Sequence, residues 1–408
     1  MRHKVYQTII IGAGPAGLAV ANSLYNQGCD DFLLLERGKS LPQRTRYSAP
    51  DIASGIGGAG LFSDGKFSFY PSATGLWKNL HLDVLQESYR WLQQDLKKKH
   101  LTVPDFDDRT WLPSANPYFK LYPSYYLNFS DRYDLINEWS NLFLANTQVN
   151  ALVTGISAQN KGYCVQTDTG AYLANNIVIA TGRMGPLQMS TYTLPLIQTF
   201  QRIEIGVRLE GHHMHPFFQE LQNYSPYPDP KFIFTDSEDE RVSWRTFCFC
   251  KRGEVVSSGD EEYIALSGRG DCAPTDLSNI GFNTRIKIPA FSERLPKLQQ
   301  HFTLSLAKLL HSPECLENYY PKQMAQYVIK GLMRLTKHFQ SLQDDQSLMI
   351  HGPTIEGVGN YPVVNEALET NCQRIYITGD AAGLFRGLTA ALLSGHYVGK
   401  KIASALSV

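Results

Sequence analysis

No feature constrains this chain more than Thr8-Ile9-Ile10-Ile11-Gly12-Ala13-Gly14-Pro15-Ala16-Gly17, an apolar run that stops at a glycine and passes into a helix. The pattern reads as a strand, a tight turn and a helix N-terminus. Gly12 permits the turn, Gly14 lets a phosphate approach the backbone, and Gly17 lets the helix pack on the strand. Pro15 and Ala16 open the helix whose N–H groups and dipole would hold a pyrophosphate. The stretch is a cradle for a dinucleotide.

A glycine turn alone is weak evidence, but its context agrees on two counts. The helix Ala16 to Gln27 keeps an apolar face through Leu18, Ala21 and Leu24, and Asp31 to Glu36 carries Phe32-Leu33-Leu34-Leu35, the pattern of a buried parallel strand. Glu36 ends that strand 19 residues after Gly17 (36 − 17), where a carboxylate would accept hydrogen bonds from an adenosine ribose. Arg37 follows and is counted with it. The competing interpretation is an ordinary strand–helix–strand start whose glutamate is solvated.

With 408 residues and 43% hydrophobic content the chain can bury one large or two medium cores, so two domains are expected. Lysine plus arginine and aspartate plus glutamate each number 38, and no basic block exceeds Lys97-Lys98-Lys99; no nucleic-acid partner is expected. The first core strand starts within a few residues of Met1, leaving no room for a signal peptide, and no apolar run approaches a membrane span. A cytoplasmic location is expected, and seven cysteines, an odd number, suit a reducing compartment. The only close pair, Cys248-Phe249-Cys250, most simply places both thiols on one face of a strand. A redox or metal role would need partners that the neighbouring sequence does not offer.

Beyond Arg37, five glycines fall within positions 55–65 of Gly55-Ile56-Gly57-Gly58-Ala59-Gly60-Leu61-Phe62-Ser63-Asp64-Gly65-Lys66. Such a run suits a backbone passing close to a flat or anionic ligand, with Gly58 and Ala59 in the run and Ser63 and Lys66 as polar handles. A flexible surface loop is the alternative, and Ile56, Leu61 and Phe62 argue for packing. Leu80 to Lys99 reads as an amphipathic helix with Leu82, Leu85, Tyr89, Leu92 and Leu96 inward. Pro104 to Phe129, rich in proline and aromatics, reads as an ordered excursion. Ser130 then caps a helix through Asn146, with Tyr133, Ile136 and Leu142 inward. Strands are expected over Gln148 to Ser157, which holds the candidate cofactor contact Val153, over Gly162 to Thr167, and over Tyr172 to Leu173, with a turn at Asp168-Thr169-Gly170. They lead into the buried strand Asn176-Ile177-Val178-Ile179-Ala180-Thr181-Gly182.

From Met184 to Met349 the strand–helix alternation stops. Strands are expected over Ile203 to Leu209, Lys231 to Thr235, Arg245 to Cys250 and Glu262 to Leu266, and helices over Leu295 to His311 and Gln323 to Phe339. Residues 184–349 are therefore expected to form a substrate or cap domain inserted into a domain made of 1–183 and 350–408. The cluster Glu210-Gly211-His212-His213-Met214-His215 lacks a matched carboxylate or cysteine motif, so no metal site is expected. Arg374-Ile375-Tyr376-Ile377-Thr378-Gly379-Asp380 returns as a buried strand ending in an acid, and Leu388 to Ala405 makes the final helix.

The glycine turn, Glu36, Ala180-Thr181-Gly182 and Thr378-Gly379-Asp380 occur in the order and spacing of the glutathione-reductase-type FAD fold, which this chain resembles. Gly57 to Lys66, Gly379 to Gly387, Phe247 to Cys250 and Glu356 to Pro362 further resemble the bacterial family of largely uncharacterised FAD-dependent dehydrogenases. That family's usual proline-glycine after the second cysteine is here Lys251-Arg252-Gly253. The resemblance implies an α/β fold: a Rossmann-like, ββα-type FAD-binding domain, its parallel sheet crossed by a β-meander, with an inserted mixed α+β substrate domain. It implies non-covalent FAD, with Glu36 on the adenosine ribose, Asp380 on a ribityl hydroxyl, and Gly12, Gly14 and Gly17 on the pyrophosphate. Thr181 and Gly182 would lie near the nucleotide half, and the residues after Gly383 near the isoalloxazine ring. No cysteine lies between Cys29 and Cys164, so the reactive pair that glutathione-reductase-like enzymes carry after their second strand is missing.

The expected function is that of an FAD-dependent oxidoreductase, a dehydrogenase or reductase moving a hydride between flavin and a small organic substrate. A flavin monooxygenase and a non-catalytic FAD-binding or tRNA-associated protein remain as alternatives. No second dinucleotide fingerprint appears, so NAD(P)H enters only as a transient donor. Positive potential at the flavin N1–C2=O edge would come from the helix opening at Gly387-Leu388-Thr389, from Arg386, or from Lys66. For Arg386 a simple salt bridge is the competing role.

Overall fold

The computed structural model describes residues 4–107, 116–259, 263–291, 295, 298, 300–343 and 345–407. The chain forms two compact units, one drawn from 1–110, 125–199 and 360–408, the other from 111–124 and 200–359. Residues 111–124, expected with the first domain, thus belong to the second unit, and its two other boundaries fall inside the strands Gln198–His212 and Met349–Pro362.

The first unit is built on the strand Val5–Ile11, which pairs in parallel with Phe32–Leu35 on one side and Gly170–Ile179 on the other. Ile9, Ile10, Leu34, Ile177 and Val178 are fully buried, as an unbroken apolar run in a parallel sheet requires. Tyr172 to Leu173 and Asn176 to Ile179, expected as separate strands, are one. Its first half pairs antiparallel with Tyr163–Thr167, and its second half pairs in parallel with Ile375–Ile377. Val153–Ala158 completes the meander. The strand expected over Gln148 to Ser157 is broken at Asn150 (φ 53°), where the N–H groups of Asn150 and Ala151 bond Gly38 O and Glu36 O instead of a neighbouring strand.

The first helix, Pro15–Asn26, packs on the last, Leu388–Leu406, across small residues. A Cβ on Gly395 would lie 2.1 Å from Ala16 O, and one on Gly399 would lie 2.5 Å from Ser23 Cβ. The helix Leu82–Lys98 buries Leu85, Tyr89, Leu92 and Leu96, but Leu82 opens it and is 44% exposed. The next helix runs from Phe129 to Leu142 and is capped by Asn128, whose Oδ1 accepts from Asp131 N at 2.9 Å, rather than by Ser130. Starting there, its inward stripe is Arg132, Leu135, Ile136 and Trp139, and Leu142 is exposed.

The second unit holds a seven-stranded sheet in the order Phe302–Ser305, Met349–Pro362, Gln198–His212, Leu277–Ile286, Val242–Cys250, Lys231–Thr235, Phe119–Lys120. Register sorts its side chains onto two faces. Ile203, Ile205 and Val207 lie opposite Ile286, Thr284 and Phe282, and Trp244 and Phe234 continue that apolar face. The helix Lys322–His338 covers it so closely that a Cβ on Gly331 would lie 2.1 Å from the Trp244 ring. The other face carries Arg202, Glu204, Arg208, Asn279, Asn283, Arg285, Arg245, Lys231 and Lys120. The expected helix Leu295 to His311 is instead the strand Phe302–Ser305 followed by the helix Leu306–His311, with residues 296, 297 and 299 outside the described set. Of the expected strand Glu262 to Leu266, residue 262 also lies outside it, and the strand found is Leu266–Arg269. Part of the expected excursion 104–129, residues 108–115, lies outside it as well.

Candidate functional site

Sequence-distant segments of the first unit converge on the turn after its first strand. Gly12 sits at φ 99° where a Cβ would come 2.6 Å from Ala180 O, and a Cβ on Gly17 would fall 1.8 Å from Gly12 O. Gly14 is different. A Cβ there would meet nothing closer than Gly58 Cα at 3.8 Å. Gly14 is also the N-cap of a helix with Pro15 in its first turn, and no side chain caps its first-turn N–H groups.

Glu36 is buried and its carboxylate spans three backbone donors. Oε2 accepts from Ala13 N at 2.8 Å, and Oε1 accepts from Gly38 N at 2.8 Å and Gly55 N at 2.9 Å. A carboxylate offers about four acceptor sites, so one is left for a hydroxyl. Arg37 beside it is exposed, and Val153 follows the Asn150-Ala151 stretch that is tied to residues 36 and 38.

The glycine-rich segment is packed. Gly57 N donates to Ala13 O at 2.8 Å, a Cβ on Gly58 would lie 2.8 Å from Gly14 Cα, and one on Gly60 would lie 2.7 Å from Leu388 Cδ2 and 2.8 Å from Pro15 Cγ. Ala59 in the same turn is exposed. Two buried arginines hold the segment by its carbonyls. Arg44 donates to Ile56 O at 2.5 Å, Gly58 O at 2.8 Å and Asp51 O, while Arg132 donates to Leu61 O at 2.9 Å, Ser63 O at 3.0 Å and Leu127 O at 2.6 Å. Burial pulls the Arg44 guanidinium down to about 10, against the opposing pull of Glu36 and Asp51. Ser63 Oγ turns back to Gly60 O at 2.8 Å, and the Lys66 N–H donates to Asp64 Oδ1 at 3.2 Å.

The second half of the site comes from the end of the chain. Gly379 (φ 67°) approaches the first helix so closely that a Cβ would lie 2.9 Å from Ala16 Cβ. Asp380 and Arg386 face each other in a two-point ion pair, Nε to Oδ2 at 3.1 Å and Nη2 to Oδ1 at 3.2 Å, with Arg183 Nε 3.8 Å from Oδ2. Each therefore offsets the other's charge, the role that competed for Arg386. Gly387 (φ 94°) starts the last helix, with Leu388 and Thr389 in its first turn and no side-chain cap. Two hydroxyls here are buried without a hydrogen-bond partner among the described residues, Thr181 Oγ1 and Thr389 Oγ1. A Cβ on Gly182 or Gly387 would meet nothing within 4 Å.

The polar face of the second unit's sheet is strongly cationic. Glu204, fully buried, takes Arg202 Nε at 3.3 Å, Arg285 Nε at 3.2 Å and Arg245 Nη2. Lys120 and Lys231 continue the row on the adjoining strands. Desolvation, then the charges of Arg245 and Arg285, push the Lys120 ammonium down to about 8, and desolvation with Arg245 and Lys120 pushes Lys231 well below its ordinary value. In the histidine cluster His215 caps the helix Pro216–Asn223. Its Nδ1 accepts from Phe217 N at 3.2 Å, so Nε2 carries the proton given to Asp345 Oδ2 at 2.6 Å. Among the described residues no group of three or more His, Cys, Asp or Glu is placed to hold a metal ion, and no helix is long and apolar enough to cross a membrane.

Sequence reasoning missed Arg44, Arg132, Glu204 and Arg208. A charge in a sequence reads as surface, and the groups that bury these four are set by the fold: Arg132 reaches back to Leu61 and Ser63, Glu204 takes Arg245 and Arg285, Arg208 meets Asn279, and Arg44 is wrapped by the carbonyls of the segment that follows it.

No protein-family model matches this chain, and no curated protein does. Solved structures do. A variant of NikD, an unusual amino acid oxidase essential for nikkomycin biosynthesis, matches at 13% identity over 99% of this chain and 95% of that one, with a TM-score of 0.48. CtdE in complex with FAD matches at 13% over 99% and 89%, with a TM-score of 0.42. A geranylgeranyl bacteriochlorophyll reductase-like protein from Thermoplasma acidophilum matches at 11% over 99% and 79%, with a TM-score of 0.41.

Proposed function

We propose that this protein is an FAD-dependent oxidoreductase that holds its flavin non-covalently on the first unit and moves a hydride between it and a small organic substrate, with the second unit as the substrate domain. The observation that carries this is the convergence of Gly58, Gly60, Ala180 and Gly379 on the uncapped turn Gly12–Gly17, beside two buried hydroxyls without partners among the described residues. In the proposal the first-turn N–H groups after Gly14 hold the pyrophosphate, and the remaining acceptor site of Glu36 takes a ribose hydroxyl. Thr181 Oγ1 and Thr389 Oγ1 supply donors that the protein itself leaves unused. The bound flavin would supply the two-electron chemistry. Because Asp380 offsets Arg386, the N-terminus of Leu388–Leu406 is the main source of positive potential in the site.

Purification and anaerobic titration test this. The protein should purify yellow and release FAD, not FMN, on denaturation, and a candidate substrate should bleach it without oxygen. A colourless protein that ignores added FAD overturns the proposal. Bleaching only by NAD(P)H, with oxygen then consumed in step with substrate hydroxylation, replaces the dehydrogenase or reductase with a monooxygenase.

A further inference from the structure

The geometry points to a second redox centre, independent of the flavin: Cys248 and Cys250 form a dithiol that exchanges with low-molecular-weight disulfides, with Arg208 as the counter-charge of the Cys250 sulfur. The regular strand expected here does not bring the pair together. A β-bulge does. The ladder with Leu277–Ile286 holds through Phe247 opposite Gly281 and resumes at Cys250 opposite Asn279, so two residues are set against one. Cys248 takes a left-handed conformation, φ 48°, inside that bulge, and its Sγ lies 3.6 Å from Cys250 Sγ. In an extended strand, residues two apart have Cα atoms about 6.6–6.8 Å apart, the far limit for a disulfide, whereas here the two sulfurs already stand 3.6 Å apart within the bulge.

Arg208 explains why the pair is chemically biased. Its side chain is fully buried. Nε and Nη2 donate to Asn279 Oδ1 at 2.9 and 2.6 Å, and Nη2 also reaches Cys248 O at 2.7 Å and Cys250 Sγ at 3.7 Å. Among the described residues Nη1 has no hydrogen-bond partner and no carboxylate bonds Arg208, whose side-chain partners are Asn279 and Cys250. A guanidinium keeps its charge inside a protein, and a buried charge without an opposite one is costly. The group in contact with it that can become an anion is the Cys250 thiol, and a thiolate is also the reactive form. Room for this arrangement is made by glycine: a Cβ on Gly268 would stand 2.1 Å from Arg208 Nη2 and 2.6 Å from Cys250 Sγ, and one on Gly253 would stand 2.9 Å from Cys250 Cβ.

Exposure orders the steps. Cys248 is the partly exposed sulfur and Cys250 the buried one. The Cys248 sulfur attacks one sulfur of a small disulfide, breaking its S–S bond, releasing one thiolate and leaving a mixed disulfide on Cys248. The Cys250 thiolate then attacks the Cys248 sulfur, forming the Cys248–Cys250 bond and expelling the second small thiolate. Two electrons pass from the protein pair to the small disulfide, and the two protons lost by the protein end on the two small thiols.

The full chain is treated with glutathione disulfide, quenched with acid, alkylated and digested with trypsin. Cleavage after Arg245 and Lys251 releases residues 246–251 with both cysteines on one peptide. That peptide should be recovered lighter by two hydrogens and unalkylated, and dithiothreitol should restore it. Cys250→Ser should stop at a stable glutathione adduct on Cys248. Arg208→Met should prolong the adduct by about tenfold or more relative to the native chain, with Arg208→Lys in between. A peptide that stays fully alkylated while exposed cysteines elsewhere take glutathione overturns the proposal, as does an adduct on native Cys248 that never closes. Should Arg208→Met fail to fold, the ultraviolet thiolate absorbance of Cys248→Ser as a function of pH decides the arginine's part: a thiolate that forms only above the ordinary thiol range removes it.

Discussion

Asp380 and Arg386 hold each other at 3.1 and 3.2 Å, so neither charge would act alone on the flavin of the proposed function. Removing one unmasks the other. In the flavin-loaded protein Arg386→Ala should lower the two-electron reduction potential and Asp380→Asn should raise it, each by roughly 30–60 mV, or ~1.4–2.8 kcal/mol, while the double variant returns close to the native value. Redox titration against a reference dye measures all three, and single variants that leave the potential unmoved would remove this pair from the flavin's surroundings. At this scale the sequence was legible where backbone demands a residue type. Gly12 and Gly17 stand where only glycine fits, and Glu36, singled out by its spacing from the turn, bonds the Ala13 N–H within it. It was illegible where function depends on a partner: that Asp380 and Arg386, six residues apart, face each other across a turn is not written in either residue.

Among the elements, the sheet of the second unit sets an apolar face under the helix Lys322–His338 against a face where three arginines share Glu204. Removing the charge of a buried carboxylate among cations is costly, because each of them loses a counter-charge. Glu204→Gln should therefore lower stability by about 3–5 kcal/mol, read as a lower urea midpoint with an unchanged slope. A change below ~1 kcal/mol would show the arginines to be neutralised elsewhere. The same strands show why the sequence under-reported this sheet. Leu277–Ile286 alternates Ile280, Phe282 and Ile286 with Asn279, Gly281 and Asn283, residues with low strand preference that are placed there by the polar face. Conversely Lys231 to Thr235 and Gln323 to Phe339 were legible within a residue or so, since one alternates and the other keeps a helical stripe against a single apolar layer.

For the molecule as a whole, acid sensitivity has a definite source in the first unit. His396 is buried, stacks on Trp91 with ring centroids 4.5 Å apart and bonds Ser88 Oγ through Nδ1 at 3.0 Å. Desolvation first, and the nearby Lys400 second, lower its value from 6.5 to about 3. Between those values the unfolded chain binds a proton that the folded chain refuses, so stability is complete above about pH 6.5 and falls as the pH drops toward 3. The loss between about pH 6.5 and 4.5 should be ~2–3 kcal/mol, and His396→Phe should flatten that slope whatever it does to stability at neutral pH. Denaturant titrations at a series of pH values measure it, and an identical slope in the variant would assign the acid sensitivity to other groups. An α/β fold around the glycine turn was visible in the sequence because its strands are continuous apolar runs. The membership of residues 111–124 in the second unit was not, since Phe119–Lys120 is a two-residue strand whose partner, Lys231–Thr235, lies about a hundred residues on.

The pairing of Gly170–Ile179 with Ile375–Ile377 has one more consequence, for a chain that leaves the ribosome from its N-terminus. The first unit contains the opening strand, yet its sheet lacks an edge strand until residue 377 has emerged, whereas every residue of the second unit has been made by position 359. Domains usually finish in the order in which they begin. Here the order is inverted: the inserted unit is the first that can close, and the earlier-started sheet must wait through its synthesis with the edge of Ile177 to Ile179 unpaired, exposed to whatever strand arrives first.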